Sequence, residues 1–232
     1  MYNTVILTSE TLACRFVDSL RFRPAFASTK VRSLCLDGTV QLATATEIVR
    51  LCSGVKDLAL WILPRGDTPI VPDLQNLLDA LNLLPLSRLS IHLSTIFRRT
   101  ASPFLPSIPL FSKITHLELL DGWVLWSSAT GIQCLAQITH LSLRLVSIHH
   151  TAPALLQQIL TNCVHLQVLA LRVTNGVQVR DVDKWLVENE DLDDPRIIVT
   201  TKTPHDTWDN GMSDGMGPWK YAEYIMKHRK GT

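Results

Sequence analysis

Residues 114–120 read ITHLELL and residues 138–144 read ITHLSLR, so the chain spells Ile-Thr-His-Leu twice, with starts 24 residues apart. An apolar residue followed by Leu or a close relative at +3 and +5 recurs well beyond this pair. Tyr2-Val5-Leu7, Val31-Leu34-Leu36, Val55-Leu58-Leu60, Leu86-Leu89-Ile91, Ile114-Leu117-Leu119, Ile138-Leu141-Leu143 and Leu166-Leu169-Leu171 follow it, at steps of 29, 24, 31, 28, 24 and 28 residues. Apolar residues at alternate positions over so short a stretch read as a strand with one buried face. Self-similarity at such a period marks a solenoid, in which each unit is too small to bury its apolar face until its neighbours stack on it. One further step reaches RIIVTT at 196–201, which is strand-like but off the template.

Between the triplets, residues 9–22, 44–54, 71–85 and 151–165 carry helical periodicity, with Thr44, Asp73 and Thr151 as expected caps. Strand and helical return then alternate. A doubly wound sheet alternates in the same way, but its strands rarely share one residue template at a fixed step. The return between Leu93 and Ile114 carries Pro103, Pro106 and Pro109, which forbid a regular helix and point to a looped path. After residue 176 the template gives way. The segment 179–190, with Val182, Trp185 and Leu186 at helical spacing, and the segment 218–230 read as covers for the end of the stack. The expected organisation is a solenoid over residues 1–176, with residues 177–232 as last repeat and cap of the same domain.

The opening TVILTSETLACRFVDSLRFRPAFASTKVRSLCLDG, the repeated triplets, and a closing Trp-Asp, Gly-rich loop, Trp and YAEYIMKHR helix resemble the leucine-rich region of fungal F-box proteins, above all those of mushroom-forming fungi. No F-box segment has a counterpart here, and the Asn ladder of regular leucine-rich repeats is missing after the strands. The resemblance implies an α/β, ribonuclease-inhibitor-like solenoid with a parallel concave sheet and a helical convex side. It also implies a non-catalytic role, holding a protein substrate for a ubiquitin ligase. A Skp1-type adaptor enters only if an F-box lies elsewhere in the parent protein.

The template itself assigns the surface. If the triplets point inward, the residues flanking the central Leu point outward in columns. The first column is Ser33, Asp57, Arg88, His116, His140 and Val168; the second is Cys35, Ala59, Ser90, Glu118, Ser142 and Ala170; the third is Asp37, Trp61, His92, Leu120, Arg144 and Arg172. His116 and His140 should therefore be neighbours at about one strand spacing, ~5 Å. The expected partner-binding residues are Asp57, Trp61, Arg88, His92, His116, Glu118, His140, Arg144 and Arg172, with Trp61 as an exposed anchor for a protein or peptide.

Other classes are weaker. A metal-dependent hydrolase would draw on His92, His116, Glu118 and His140, but no local ligand spacing supports it, and no nucleophile elbow appears. No cofactor is expected. The Gly-rich piece 209–217 follows no strand, as a phosphate loop would. A net charge of +1 gives no general attraction to nucleic acid. Arg98 and Arg99, the pair His149-His150 and the basic run 227–231 read as solvated surface. At least one of Trp123 and Trp126 reads as packing under the return segment, and Trp208 and Trp219 read as pinning the C-terminal loop onto the stack. Five scattered cysteines, no secretory leader and no apolar stretch of membrane-spanning length point to the cytoplasm or nucleus. A free-standing repeat scaffold unrelated to ubiquitin ligases is the alternative within the binding class.

Overall fold

The computed structural model describes residues 4–62, 71–97, 103–122, 128–147, 152–174, 176–202 and 218–229. Tyr2, Arg98, Arg99, Trp123, Trp126, the pair His149-His150, Thr151, Trp208 and the 209–217 piece lie outside the described residues. The fold is α/β, and within each of its two compact units every strand pairs in parallel with its neighbour in chain order. The chain divides into two compact units: residues 1–103 with 107–114, and residues 104–106 with 115–232.

In the first unit the strands are β1 (Thr4–Leu7), β2 (Ser33–Gly38), β3 (Asp57–Ile62) and β4 (Arg88–Ile91). The template residues Val31, Leu34, Leu36, Val55, Leu58, Leu60, Leu86, Leu89 and Ile91 are all buried. They meet helices α1 (Glu10–Arg21), α2 (Pro24–Lys30), α3 (Leu42–Leu51) and α4 (Val71–Asn82), which pack side by side and turn Val17, Leu20, Ile48, Leu77 and Leu81 inward. This helical side is the back face of the sheet. Ser9 caps α1 by accepting from Leu12 N.

Two expected caps are corrected. Helix α3 starts at Leu42, so Thr44 lies inside it and donates instead to Glu10 Oε1 at 2.6 Å. Helix α4 starts at Val71, which puts Asp73 in its first turn, where a carboxylate favours the helix dipole. The proline-rich return is one turn of helix, α5 (Leu93–Ile96), followed by 3₁₀ turns at Leu105–Ser107 and Pro109–Ser112. These short turns bury Leu105, Leu110 and Phe111 without a regular helix.

In the second unit the strands are β5 (His116–Gly122), β6 (His140–Leu145), β7 (Val168–Val173) and β8 (Ile197–Thr200), the last being the strand expected at RIIVTT. The return after β5 again holds 3₁₀ turns, Ser128–Thr130 and Ile132–Cys134, joined through Gly131 at φ +70°. A Cβ there would come within 2.5 Å of the Phe104 ring. Helices α6 (Ala152–Asn162) and α7 (Val179–Glu188) follow, and α8 (Pro218–Arg229) closes the described chain.

The registers match the repeat. Ser33, Asp57 and Arg88 pair across β2, β3 and β4, while His116, His140 and Val168 pair across β5, β6 and β7. A bulge breaks one column: Gly122, not Leu120, pairs with Arg144, so Leu120 and Asp121 are extra residues in β5. A recurring backbone clasp marks the starts of β3, β4, β6 and β7. Arg32 O accepts from Lys56 N and Asp57 N, Lys56 O from Ser87 N and Arg88 N, Thr115 O from Thr139 N and His140 N, and Thr139 O from Gln167 N and Val168 N, all at 2.7–3.1 Å.

Candidate functional site

The front face of each sheet, opposite the template leucines, carries the residues that sequence columns assign to a binding surface. In the first unit Ser33 Oγ donates to Asp57 Oδ2 at 3.1 Å, and Arg88 Nε lies 3.7 Å from Asp57 Oδ1. Arg88 is exposed, whereas Asp37, Asp57 and His92 are half-buried. Trp61 departs from expectation. It is only 5% exposed and donates Nε1 to Ser90 Oγ at 2.8 Å, so it is a packed ring whose polar edge is satisfied, not an open anchor.

At the starts of β5 and β6 the repeated Ile-Thr-His-Leu builds one device twice. Ile114 and Ile138 fill the core, Thr115 O takes the clasp from the next strand, and the threonine hydroxyls lie 2.8 and 2.9 Å from Nδ1 of His116 and His140. Held in this way, the two imidazoles stack with centroids 4.2 Å apart and planes 6° from parallel. The neighbour relation expected from the 24-residue step is present.

The histidine pair does not face open solvent. Helix α8 lies on the front face of β7 and β8, where Ala222 packs with Val168, Ala170 and Ile198, and Trp219, Ile225 and Met226 close around them. Trp219 stands edge-on to both imidazoles at 5.6 and 5.4 Å, and Glu223 Oε1 lies 3.1 Å from His140 Nε2. The carboxylate can pair with that ring when it is protonated. His140 is consequently 3% exposed, while His116 is half-buried.

Further along the face Arg172 donates Nη1 to Glu118, with both residues buried. Burial lowers the Arg172 pKa and Arg144 adds to that lowering, while Glu118 opposes it. Among the described residues its Nε has no hydrogen-bond partner. Arg144 is half-buried and tied by Nε to Thr174 Oγ1 at 3.1 Å and by Nη1 to Leu120 O at 3.3 Å.

The expectation of a freely accessible basic, histidine-rich half is therefore corrected for Glu118, His140 and Arg172. The chain's own helix α8 packs on this face. Sequence columns locate residues on a face but carry no information about what later packs on it. A signal was nonetheless present: Trp219, Ala222, Glu223 and Met226 fall at i, i+3, i+4 and i+7, one stripe of a helix.

Among the described residues no group of three or more His, Cys, Asp or Glu side chains is placed to hold a metal ion. No described helix is long and apolar enough to cross a membrane. No protein-family model matches the chain, and a search of curated proteins returns no match.

Proposed function

We propose that the chain is a non-catalytic recognition module of the irregular, ribonuclease-inhibitor-like leucine-rich-repeat type, which holds a protein or peptide on the front face of β1–β4. The row Ser33, Asp57 and Arg88 carries this reading: three polar side chains in register on three strands, in which a buried Ser33 holds Asp57, and Asp57 and Arg88 present their charges to solvent. Polar groups already held by a rigid sheet lose little rotamer freedom when a partner arrives. Asp37 and His92 extend the row's chemistry toward the strand ends.

On this reading the chain resembles the substrate-holding part of an F-box adaptor, and a Skp1-type adaptor is recruited only through an F-box carried elsewhere in the parent protein. The free state of Cys14, Cys35, Cys52, Cys134 and Cys163 suits the reducing cytoplasm or nucleus.

Affinity capture from native extract, with the intact chain and with an Asp57→Lys, Arg88→Glu chain, tests the proposal. A protein held by the intact chain and lost by the folded variant supports it. Equal capture by both chains, or none by either, removes the first unit's face as the site.

A further inference from the structure

Helix α8 fits its seat incompletely. Of its described side chains Ala222 is buried, while Trp219, Ile225 and Met226 are only partly so and Tyr224 is exposed. Its polar ties among the described residues include the contact of Glu223 with His140 and the placement of Tyr221 under Lys202 Nζ, 3.6 Å from the ring centroid. Beneath Trp219 and Tyr221 remains a cavity of about 30 Å³, whose walls include Arg172, Lys202, Ser142 and Glu118. A second groove opens beside Glu223 and Met226.

The cavity wall carries two cationic side chains, Arg172 and Lys202, against one carboxylate, Glu118. Arg172 is 3% exposed, and its Nε lacks an acceptor among the described residues. A buried guanidinium N–H without an acceptor is costly, and a carboxylate is its strongest complement. Helix α8 places the ring of Tyr221 at this wall, where a carboxylate would meet both cations. The seat thus accepts a helix through its apolar strip and leaves the Nε of Arg172 without an acceptor among the described residues.

We propose that the front face of β7 and β8 is a docking site for an acidic amphipathic helix of a protein partner, and that α8 is the internal stand-in that partner displaces. The partner helix carries an aromatic residue where α8 has Trp219, a small residue at the place of Ala222, and carboxylates at the places of Tyr221 and Glu223. The apolar strip sets the seat, and the pairing with Arg172 and Lys202 selects for acid. This second surface does not depend on the row in the first unit, so either can fail alone.

The test uses the full chain and a labelled peptide of residues 218–229, with and without Tyr221→Glu. In an Ala222→Asp chain the buried carboxylate loosens the resident helix, which hydrogen exchange across 218–229 reports. The Glu-bearing peptide is expected to bind this chain at least about tenfold more tightly than it binds the intact chain, where the helix competes in cis. It is also expected to bind at least about tenfold more tightly than the Tyr-bearing peptide.

Equal affinity of the two peptides overturns the acidic partner. So does absence of binding to a folded chain whose helix is released, or a helix that stays as protected as in the intact chain. A dimer of the intact chain by light scattering, formed by exchanged helices, would assign the seat to a second copy instead. If the Ala222→Asp chain does not fold, a Glu223→Lys chain, altered at a half-buried side chain, is held to the same criteria.

Discussion

The two units share one strand template and differ in what lies on either side of it. Strands β1–β4 are backed by helices of 12, 10 and 12 residues in α1, α3 and α4, whereas the described residues of the return after β5 hold 3₁₀ turns of three residues. On the front, the Asp57–Arg88 pair of the first unit stays accessible, while the Glu118–Arg172 pair of the second is buried. The template thus fixes the inward face strictly and the return loosely, and it leaves the outward face free to become either a surface or a second core. Two ion pairs on the outward-facing side of the strands consequently belong to different physical regimes.

The largest expected contrast lies in those pairs. Glu118→Ala strands a buried guanidinium and should cost about 3–5 kcal/mol in urea unfolding, while Asp57→Ala at the half-exposed pair should cost about 0–1 kcal/mol. Equal costs would mean that the two front faces are alike after all. Next come the cores. Leu58→Ala and Leu141→Ala, both fully buried template positions, should each cost about 2–5 kcal/mol, and a much smaller value in one unit would show that its thinner backing yields around the cavity.

Trp219→Ala removes two edge-on ring contacts and should cost about 1–3 kcal/mol. Thiol labelling can place that loss. Burial pushes Cys52 to about 12 and Cys163 to about 11, so each reacts only when its own unit opens. The substitution should speed labelling of Cys163 more than that of Cys52, and equal acceleration would show that the units open together.

The smallest effect is acid sensitivity, with one depressed carboxyl in each unit. Burial raises the Glu10 pKa, but hydrogen bonds from Thr44, Gln41 N and Cys14 outweigh it and leave the value lowered; bonds from Arg196 lower that of Asp194. A folded value below the unfolded one gives stability that is complete above the ordinary carboxylate range, near ~4, and is lost as pH falls through the lowered value. Glu10→Gln and Asp194→Asn should each flatten part of the acid limb of the urea midpoint. An unchanged limb in either variant would remove that carboxyl from the account.

Most of the sheet was legible because a two-residue period with a fixed repeat leaves no freedom in which side chains face the core. The pairing of His116 with His140, and of Ser33 with Asp57 and Arg88, follows from spacing alone. Less was legible where one local choice replaces another. Thr44 is a good cap by residue type, yet Glu10 offers its hydroxyl a better acceptor, and α3 begins two residues earlier. The two extra residues of β5 were hidden because Leu120 continues the apolar run of the strand, and nothing in the template marks the shift that brings Arg144 onto Gly122. The burial of Trp61, Glu118, His140 and Arg172 lay beyond column reading, since a strand's pattern says which side a residue takes and nothing about what covers that side.

The backbone clasp at the starts of β3, β4, β6 and β7 has a further consequence. Arg32 O and Lys56 O hold equivalent places, and so do Thr115 O and Thr139 O, each pair 24 residues apart. Deleting residues 33–56 would join Arg32 to Asp57 and rebuild the template as Val31-Leu58-Leu60. Deleting residues 115–138 would join Ile114 to Thr139 and spell Ile-Thr-His-Leu across the scar. Such a chain is counted in whole turns: a turn can be removed or copied by recombination with the junction's apolar pattern preserved, while a cut one residue longer or shorter puts leucine on the wrong side of the sheet.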